Sequence, residues 1–433
     1  MNFYSLNKKA PNVTFKDAVI KGIAPDRGLY FPESITPLPK EFFDSIENLT
    51  NIEIALKAIR QFVSDDINDE KLKDILEGVL SFDFPVIEIN ENVGTLELFH
   101  GPTLAFKDVG AGFMARCLGH FSEENKNEVT VLVATSGDTG GAVANGFLDV
   151  EGVNVVILYP SGKVSDIQEK QLTTLGKNIT ALEVNGTFDD CQTMVKTAFL
   201  DTDLTDAMQL TSANSINVAR WLPQMFYFMF AYKQAKSKGK EIVFSIPSGN
   251  FGNICAGMIA QQLGLPVKHF IASTNINDVV PRFMDTKSYD PKPSHATISN
   301  AMDVGDPSNF IRIRHIFNDD FDQIAKHLSS YSYTDEQTKE AMKKLYNDFN
   351  YTADPHGAVG YLGLQKYQET NPDTYGIFLE TAHPVKFLDV VEDTIQENIE
   401  IPEKIIKQMK KKKKSIEIST YEELKNYLLV AKK

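Results

Sequence analysis

The stretch VTVLVATSG (residues 129–137) runs into GGAVANGFL (140–148), then VNVVILYPSG (153–162) and SDIQEKQLTTL (165–175). Apolar, β-rich runs alternate here with amphipathic ones. Continuous apolar strands belong to sheets covered on both faces, and crossover helices supply the cover, so the pattern reads as βα units of a parallel sheet. It continues through NITALEVNG (178–186), FDDCQTMVKTAFL (188–200), a strand-like AMQLTSA (207–213) and a long helical run from about Val218 to Lys238. A second series opens at KEIVFSIPSG (240–249), a buried strand that stops at a glycine turn. GNICAGMIAQQLG (252–264) then has helical period and ends at Gly264, ahead of Pro266. Two open α/β lobes with mainly parallel sheets are expected.

The first ninety or so residues differ. FPESITPLPK (31–40) is punctuated by proline, IEIALKAIRQFV (52–63) is helix-like, and no glycine turn joins a strand to a helix. They read as an N-terminal domain or an added layer. The expected division is 1–95 for this part, 96–225 for the first lobe and 226–433 for the second.

A net charge of −14 over 433 residues disfavours a nucleic-acid or anionic-membrane surface, since both need a positive face. An acidic chain that handles phosphorylated ligands must gather its positive groups locally. The run Lys410 to Lys414 reads as a solvated surface stretch. Cys117, Cys191 and Cys255 form no CxxC pair, and the eight histidines show no HExxH-like cluster, so neither a disulfide framework nor a metal site is indicated. The start, MNFYSLNKKAPNVTF, has no apolar h-region, and no apolar run approaches the roughly 20 residues that span a bilayer. A cytoplasmic setting is expected.

Three small-residue segments stand at expected strand ends, where open α/β sheets place their ligands: HGPTLAFKD (100–108), TSGDTGG (135–141) and PSGNFGN (247–253). PSGNFGN offers backbone N–H groups from Ser248, Gly249, Asn250, Phe251, Gly252 and Asn253 at a helix start, a phosphate cradle. It matches neither GxxxxGK[ST] nor a full GxGxxG, and a plain tight connection has the same appearance. TSGDTGG adds the hydroxyls of Ser136 and Thr139 and the carboxylate of Asp138, suited to an anion such as a substrate carboxylate. The same segment reads as a helix start capped by Asp138 or Ser136. Lys107 follows an apolar Leu104-Ala105-Phe106 step, where lost solvation lowers a lysine's pKa as Schiff-base chemistry requires. Taken alone, it is also an ordinary surface lysine.

NSINVAR (214–220) places Asn214, Ser215 and Asn217 ahead of Arg220, a second anion grip in which a guanidinium gives two parallel hydrogen bonds. Capping asparagine with a surface arginine fits equally well. IFLETAHPVKF (377–387) ends a strand at Thr381 and His383, the first a hydroxyl that could face a cofactor, the second either functional or structural.

With these segments in hand, the chain resembles the threonine synthases, pyridoxal-phosphate (PLP) enzymes of the tryptophan-synthase-β-like fold, fold type II. The resemblance runs from GIAPDRGLYFP (22–32) through ELFHGPTLAFKD (97–108), ATSGDTG (134–140), LYPSGKVSDIQEKQ (158–171), SANSINVAR (212–220), PSGNFGN and SNAMDVGDPSN (299–309) to TAHPVKF (381–387). It implies that Lys107 carries PLP as a Schiff base. Ser248, Gly249, Asn250, Phe251, Gly252 and Asn253 would form the loop on its phosphate, and Thr381 would bond the pyridine nitrogen. It implies further that Ser136, Asp138 and Thr139 take the substrate carboxylate, and Asn214, Ser215 and Arg220 the substrate phosphate. Asp138 departs from the asparagine usual in related enzymes.

The activity so implied is that of a carbon–oxygen lyase. It converts O-phospho-L-homoserine and water to L-threonine and phosphate, the last step of threonine biosynthesis, by a monomer or homodimer. Lys107, displaced by the substrate amine, would take the Cα proton; phosphate would leave Cγ and water would add at Cβ. Two rivals stand beside it. A phospho-lyase or dehydratase on the same fold would release 2-oxobutyrate, and a non-catalytic phosphometabolite sensor would bind without turnover.

Overall fold

The computed structural model describes residues 1–125, 128–135 and 137–431. In chain order its strands are β1 (Phe3–Ser5), β2 (Tyr30–Pro32), β3 (Val86–Asn90), β4 (Val93–Glu97), β5 (Val129–Ala134), β6 (Val153–Pro160) and β7 (Ile179–Val184). There follow β8 (Gln209–Thr211), β9 (Glu241–Pro247), β10 (His269–Thr274), β11 (Leu328–Ser332), β12 (Thr374–Glu380) and β13 (Ile416–Ile418). One sheet has the order β13-β7-β6-β5-β8 and is parallel throughout. The second large sheet has the order β11-β10-β9-β12-β4-β3, parallel except for the β3–β4 pair at its edge, and β1 and β2 form a small antiparallel pair of their own. β9 is buried from Ile242 onward and β12 along its whole length, as expected of parallel strands with helices on both faces.

Both sheets cross the division expected at 95/96 and 225/226. β3 and β4 belong to the six-stranded sheet of the second lobe, because β4 lies parallel to β12 in register from Val93–Gly376 to Glu97–Glu380. β13, near the chain's end, extends the first lobe by pairing with β7. A strand joins whichever sheet edge is open to it. Helical period alone does not say which edge that is.

The first part of the chain is an added layer rather than a body with its own core. Phe3, Phe15, Ile54 and Phe62 share one apolar cluster with Phe113, Trp221, Phe244 and Phe270. Trp221 lies 6.2 Å from the stacked ring of Phe31. The helix Asn51–Val63 begins at a capping box of Thr50 and Glu53. The long helical run is interrupted: Val218–Trp221 gives way to a 3₁₀ turn, Leu222–Gln224, before Met225–Ala235. Pro223 has no N–H for an α-helical bond, which accounts for the break.

Lys410 to Lys414 are all exposed as expected, and Lys413 also pairs with Glu169 and Glu183, 2.6 Å from each. Burial pushes the Glu183 carboxyl up, yet Lys413 and the hydroxyls of Ser161, Ser415 and Tyr159 hold it at about 2. The pair anchors the segment that delivers β13. Among the described residues no helix is long and apolar enough to cross a membrane.

Cys117, Cys191 and Cys255 are buried and unbridged. Burial pushes Cys191 and Cys255 to about 12 and Cys117 higher still. Thiolate is the reactive form, so a thiol reagent at neutral pH is expected to label none of the three in the folded protein and all three in denaturant. Counting the groups released by a chromogenic disulfide reagent checks this.

Candidate active site

The loop between β4 and the helix Lys107–Asn125 is stitched to the segment that follows β12. Phe106 N donates to Thr381 O at 2.9 Å, His383 N donates to Leu104 O at 3.0 Å, and Ala105 and Ala382 form an antiparallel bridge. This contact sets Thr381 beside Lys107. Leu104 takes φ +61°, a left-handed conformation that costs a side-chain-bearing residue roughly 1–2 kcal/mol. The neighbouring bonds hold it there: Asp108 accepts from the N–H and hydroxyl of Thr103, and the Tyr227 hydroxyl donates to Phe106 O. Burial lowers the Lys107 pKa to about 8; Asp138 opposes the shift, and Arg220 and Lys386 add to it.

TSGDTGG starts the helix Asp138–Gly146 after β5. Asp138 is the first helical residue and does not cap it; the Thr135 hydroxyl accepts from Gly137 N and Gly140 N at 3.0 and 2.9 Å, and Ser136 lies outside the described residues. Thr139 is partly exposed. Asp138 is committed elsewhere, its Oδ1 2.5 Å from Lys386 Nζ and 3.1 Å from Gln168 Nε2. Burial pushes this carboxyl up, but Lys386 and Lys107 together hold it far below the usual range.

In PSGNFGN the Ser248 N–H is not available to a ligand. It donates to Ser273 O at 2.8 Å, and its hydroxyl turns back to Ile246 O. Phe251, at φ +60°, turns the chain into the helix Gly252–Gln262, whose first N–H groups have no helical acceptors. The side chain of Asn253 is buried, and neither of its amide atoms bonds to the protein. A Cβ at Gly249 would lie 2.8 Å from Met302 Cα and 2.9 Å from Ala301 O, backbone that cannot swing aside. Gly249→Ala is therefore expected to displace the loop and weaken retention of any phosphate ligand there by ~10-fold or more, measurable by equilibrium dialysis.

Asn250 binds this loop to the next motif. Its Nδ2 donates to Ser215 Oγ at 2.6 Å, and its Oδ1 accepts from Ser308 N. Asn309 donates to Asn250 O and is fixed in turn by Arg312, a guanidinium with 0 % exposure that also donates to Tyr30 O and Ile216 O and lies over Trp221. Arg312 thus ties the N-terminal layer to both anion loops.

In NSINVAR it is Asn217 that caps the short helix, by accepting from Ala219 N at 3.0 Å, which leaves Asn214 and Ser215 partly exposed and uncommitted to capping. Arg220 is no surface residue. It is 2 % exposed, donates through Nη1 to Ala213 O, has an unpartnered Nε, and forms no ion pair with a carboxylate among the described residues. Burial brings its pKa down to about 10. Its helix comes very close to that of Lys107: a Cβ at Gly110 would stand 2.4 Å from Arg220 O. His383 caps the turn that follows, accepting from Val385 N, and burial takes it to about 4.

Asp138, Arg220 and Lys386 thus bear on Lys107 electrostatically, Thr381 is stitched to the residue before it, and Asn250 binds Ser215. Sequence reasoning missed Lys386, Gln168, Asn309 and Arg312. Lys386 carried a readable signal, since it follows the apolar step Pro384-Val385 much as Lys107 follows Ala105-Phe106. The donor set fits a phosphorylated aldehyde: a low-pKa amine to bind it covalently, a helix start and an orphaned amide for its phosphate, and a neutral hydroxyl at Thr381 for a ring atom.

Such a site on two open parallel sheets defines a pyridoxal-phosphate-dependent enzyme, and residues 93–379 match the family described as Pyridoxal-phosphate dependent enzyme. Residues 2–79 match Threonine synthase N terminus, and residues 357–428 match Threonine synthase, C-terminal. The threonine synthase of Escherichia coli K12 is 43% identical over 406 residues, 94% of each chain. The crystal structure of Escherichia coli threonine synthase superposes with a TM-score of 0.92 at 41% identity, covering all of both chains. PLP-bound threonine synthase from Brucella melitensis gives 0.93 at 30% identity, over 99% of this chain and 98% of that one. The chain belongs to the threonine synthase family, and its cofactor is PLP.

Proposed function

We propose that the chain converts O-phospho-L-homoserine and water to L-threonine and inorganic phosphate, with Lys107 as the covalent anchor of PLP and the base that moves the substrate's protons. Bound PLP supplies an electron sink for charge that develops at the substrate's Cα and Cβ. Lys107, at about 8, is partly neutral near physiological pH once released from the cofactor, and so can take the Cα proton. Asn250, Phe251, Gly252 and Asn253 hold the cofactor phosphate through the helix start, Gly249 lets the loop pass Met302, and Ser248 shapes the turn. Thr381 presents a neutral hydroxyl to the pyridine nitrogen. Thr139, with Ser136, receives the substrate carboxylate at the helix that follows β5.

The observation that carries the reading is Arg220: a buried guanidinium that forms no ion pair with a carboxylate among the described residues, on a helix whose backbone closely approaches the helix of the lysine. With Asn214 and Ser215 it grips the substrate phosphate, and after the Cγ–O bond breaks it keeps the released phosphate near the Cβ that water attacks. The enzyme acts as a monomer or homodimer in the cytoplasm. Incubation with O-phospho-L-homoserine followed by amino-acid and phosphate analysis tests the assignment. Threonine and phosphate in equal amounts are expected. Phosphate with 2-oxobutyrate would move the activity to a phospho-lyase, and visible PLP absorbance without turnover would leave a binding protein.

A further inference from the structure

Beside the half-buried Lys107 stands a buried lysine that the proposed reaction does not use. Lys386 lies in the turn Pro384–Phe387 after β12, its side chain 0 % exposed, its ammonium 2.5 Å from Asp138 Oδ1 and donating to Thr103 O at 3.1 Å. Asp138 opens the helix after β5, so the ion pair crosses from the six-stranded lobe to the five-stranded one, and Gln168 fixes the same carboxylate oxygen. Lys107 is a further cation whose field reaches Asp138.

A buried carboxylate attracts a nearby ammonium strongly, because little water screens it. Left alone with Lys107, an ionised Asp138 would hold it as an ammonium, which is neither a nucleophile nor a base. We propose that Lys386 is a positioning residue for Lys107: by taking up the charge of Asp138 across the lobe interface, it keeps that carboxylate from capturing Lys107 and leaves the Lys107 amine free to react. The inference rests on the role of Lys107 proposed above. The charged groups that bear on Lys107 are Asp138, Arg220 and Lys386. Asp108, next in the chain, turns its carboxylate to Thr103 and feels both Lys386 and Lys404. Lys404 donates instead to Gly101 O.

The test is the reactivity of Lys107 itself. The full-length chain, stripped of PLP, is acetylated with trace acetic anhydride across a pH series, and labelling of the Lys107 peptide is read by mass spectrometry. Labelling follows the neutral amine, so its midpoint reports the Lys107 pKa. In Lys386→Met the midpoint is expected to rise by about one pH unit, tenfold less reactive amine at neutral pH. Lys386→Arg should stay close to wild type, and Lys386→Met with Asp138→Asn should return to the wild-type midpoint or below it. PLP uptake, followed by visible absorbance, should slow and recover in the same order. A Lys386→Met midpoint equal to or below wild type overturns the proposal, as does a double variant no closer to wild type than the single one. If Lys386→Met fails to fold, Lys386→Gln, which can still hydrogen-bond Asp138 and Thr103 but carries no charge, is read in its place: a midpoint above wild type supports the proposal, and one equal to or below wild type overturns it. Failure of the underlying Lys107 assignment is a separate result, seen as a visible PLP band that survives in Lys107→Ala.

Discussion

Lys107→Ala is expected to lose the visible absorbance of covalently held PLP and at least ~10⁴-fold in turnover, since one group is both anchor and proton carrier. The fold should survive the change. The wild-type side chain makes a contact with the Phe106 ring at 5.7 Å, and burial disfavours its charge, so its removal takes away little that stabilises the chain. Circular dichroism and thermal melting of the variant should match wild type while the absorbance and activity are gone. The pH dependence follows from the same group. Burial lowers the Lys107 pKa, so its neutral fraction grows as pH rises through about 8, and reaction of PLP with the cofactor-free protein should accelerate over that interval and then level. An acceleration centred near the ordinary lysine value would contradict the desolvated setting.

Arg220→Met is expected to lower kcat/KM for the phosphorylated substrate by ~10²-fold or more. Hydrogen bonds to charged groups are worth about 1.5–3 kcal/mol each, and a guanidinium supplies two to a phosphate. Methionine keeps the apolar length of the buried side chain and gives up the hydrogen bond to Ala213 O and an Nε that has no partner. PLP binding should therefore change little, which separates Arg220 from the Gly249 loop. If the released phosphate, pinned by Arg220, assists addition of water at Cβ, the variant should also shift product from threonine towards side products. An unchanged partition with weakened binding would confine Arg220 to substrate capture.

The parallel sheets were legible because βα alternation in residues 129–186 is a local signal, repeated at each unit. Sheet membership was not. Nothing in the period of VGTLE or IEI says that the first pairs with a strand almost three hundred residues later, or that the second completes the opposite lobe. Much of the site was visible for the opposite reason: glycine turns, hydroxyls and an apolar-flanked lysine need particular residue types at particular spacings. Partner choice inside the site was hidden. Asp138 reads as a ligand-facing carboxylate until Lys386, 248 positions on, is seen to hold it. Arg312, within FIRIRHI, is wholly buried and bonded to Asn309 and Tyr30. Long-range pairing of this kind is set by tertiary packing, which no short window contains.

The most direct test of the proposed reaction is to run it in water enriched in heavy oxygen and weigh both products. γ-Elimination breaks the Cγ–O bond and β-addition draws its oxygen from solvent. The account therefore predicts one labelled oxygen in the side-chain hydroxyl of threonine and none in the phosphate. Label in the phosphate would mean that the ester is cleaved at phosphorus, and threonine without label would mean that water does not add at Cβ; either result would contradict the assignment.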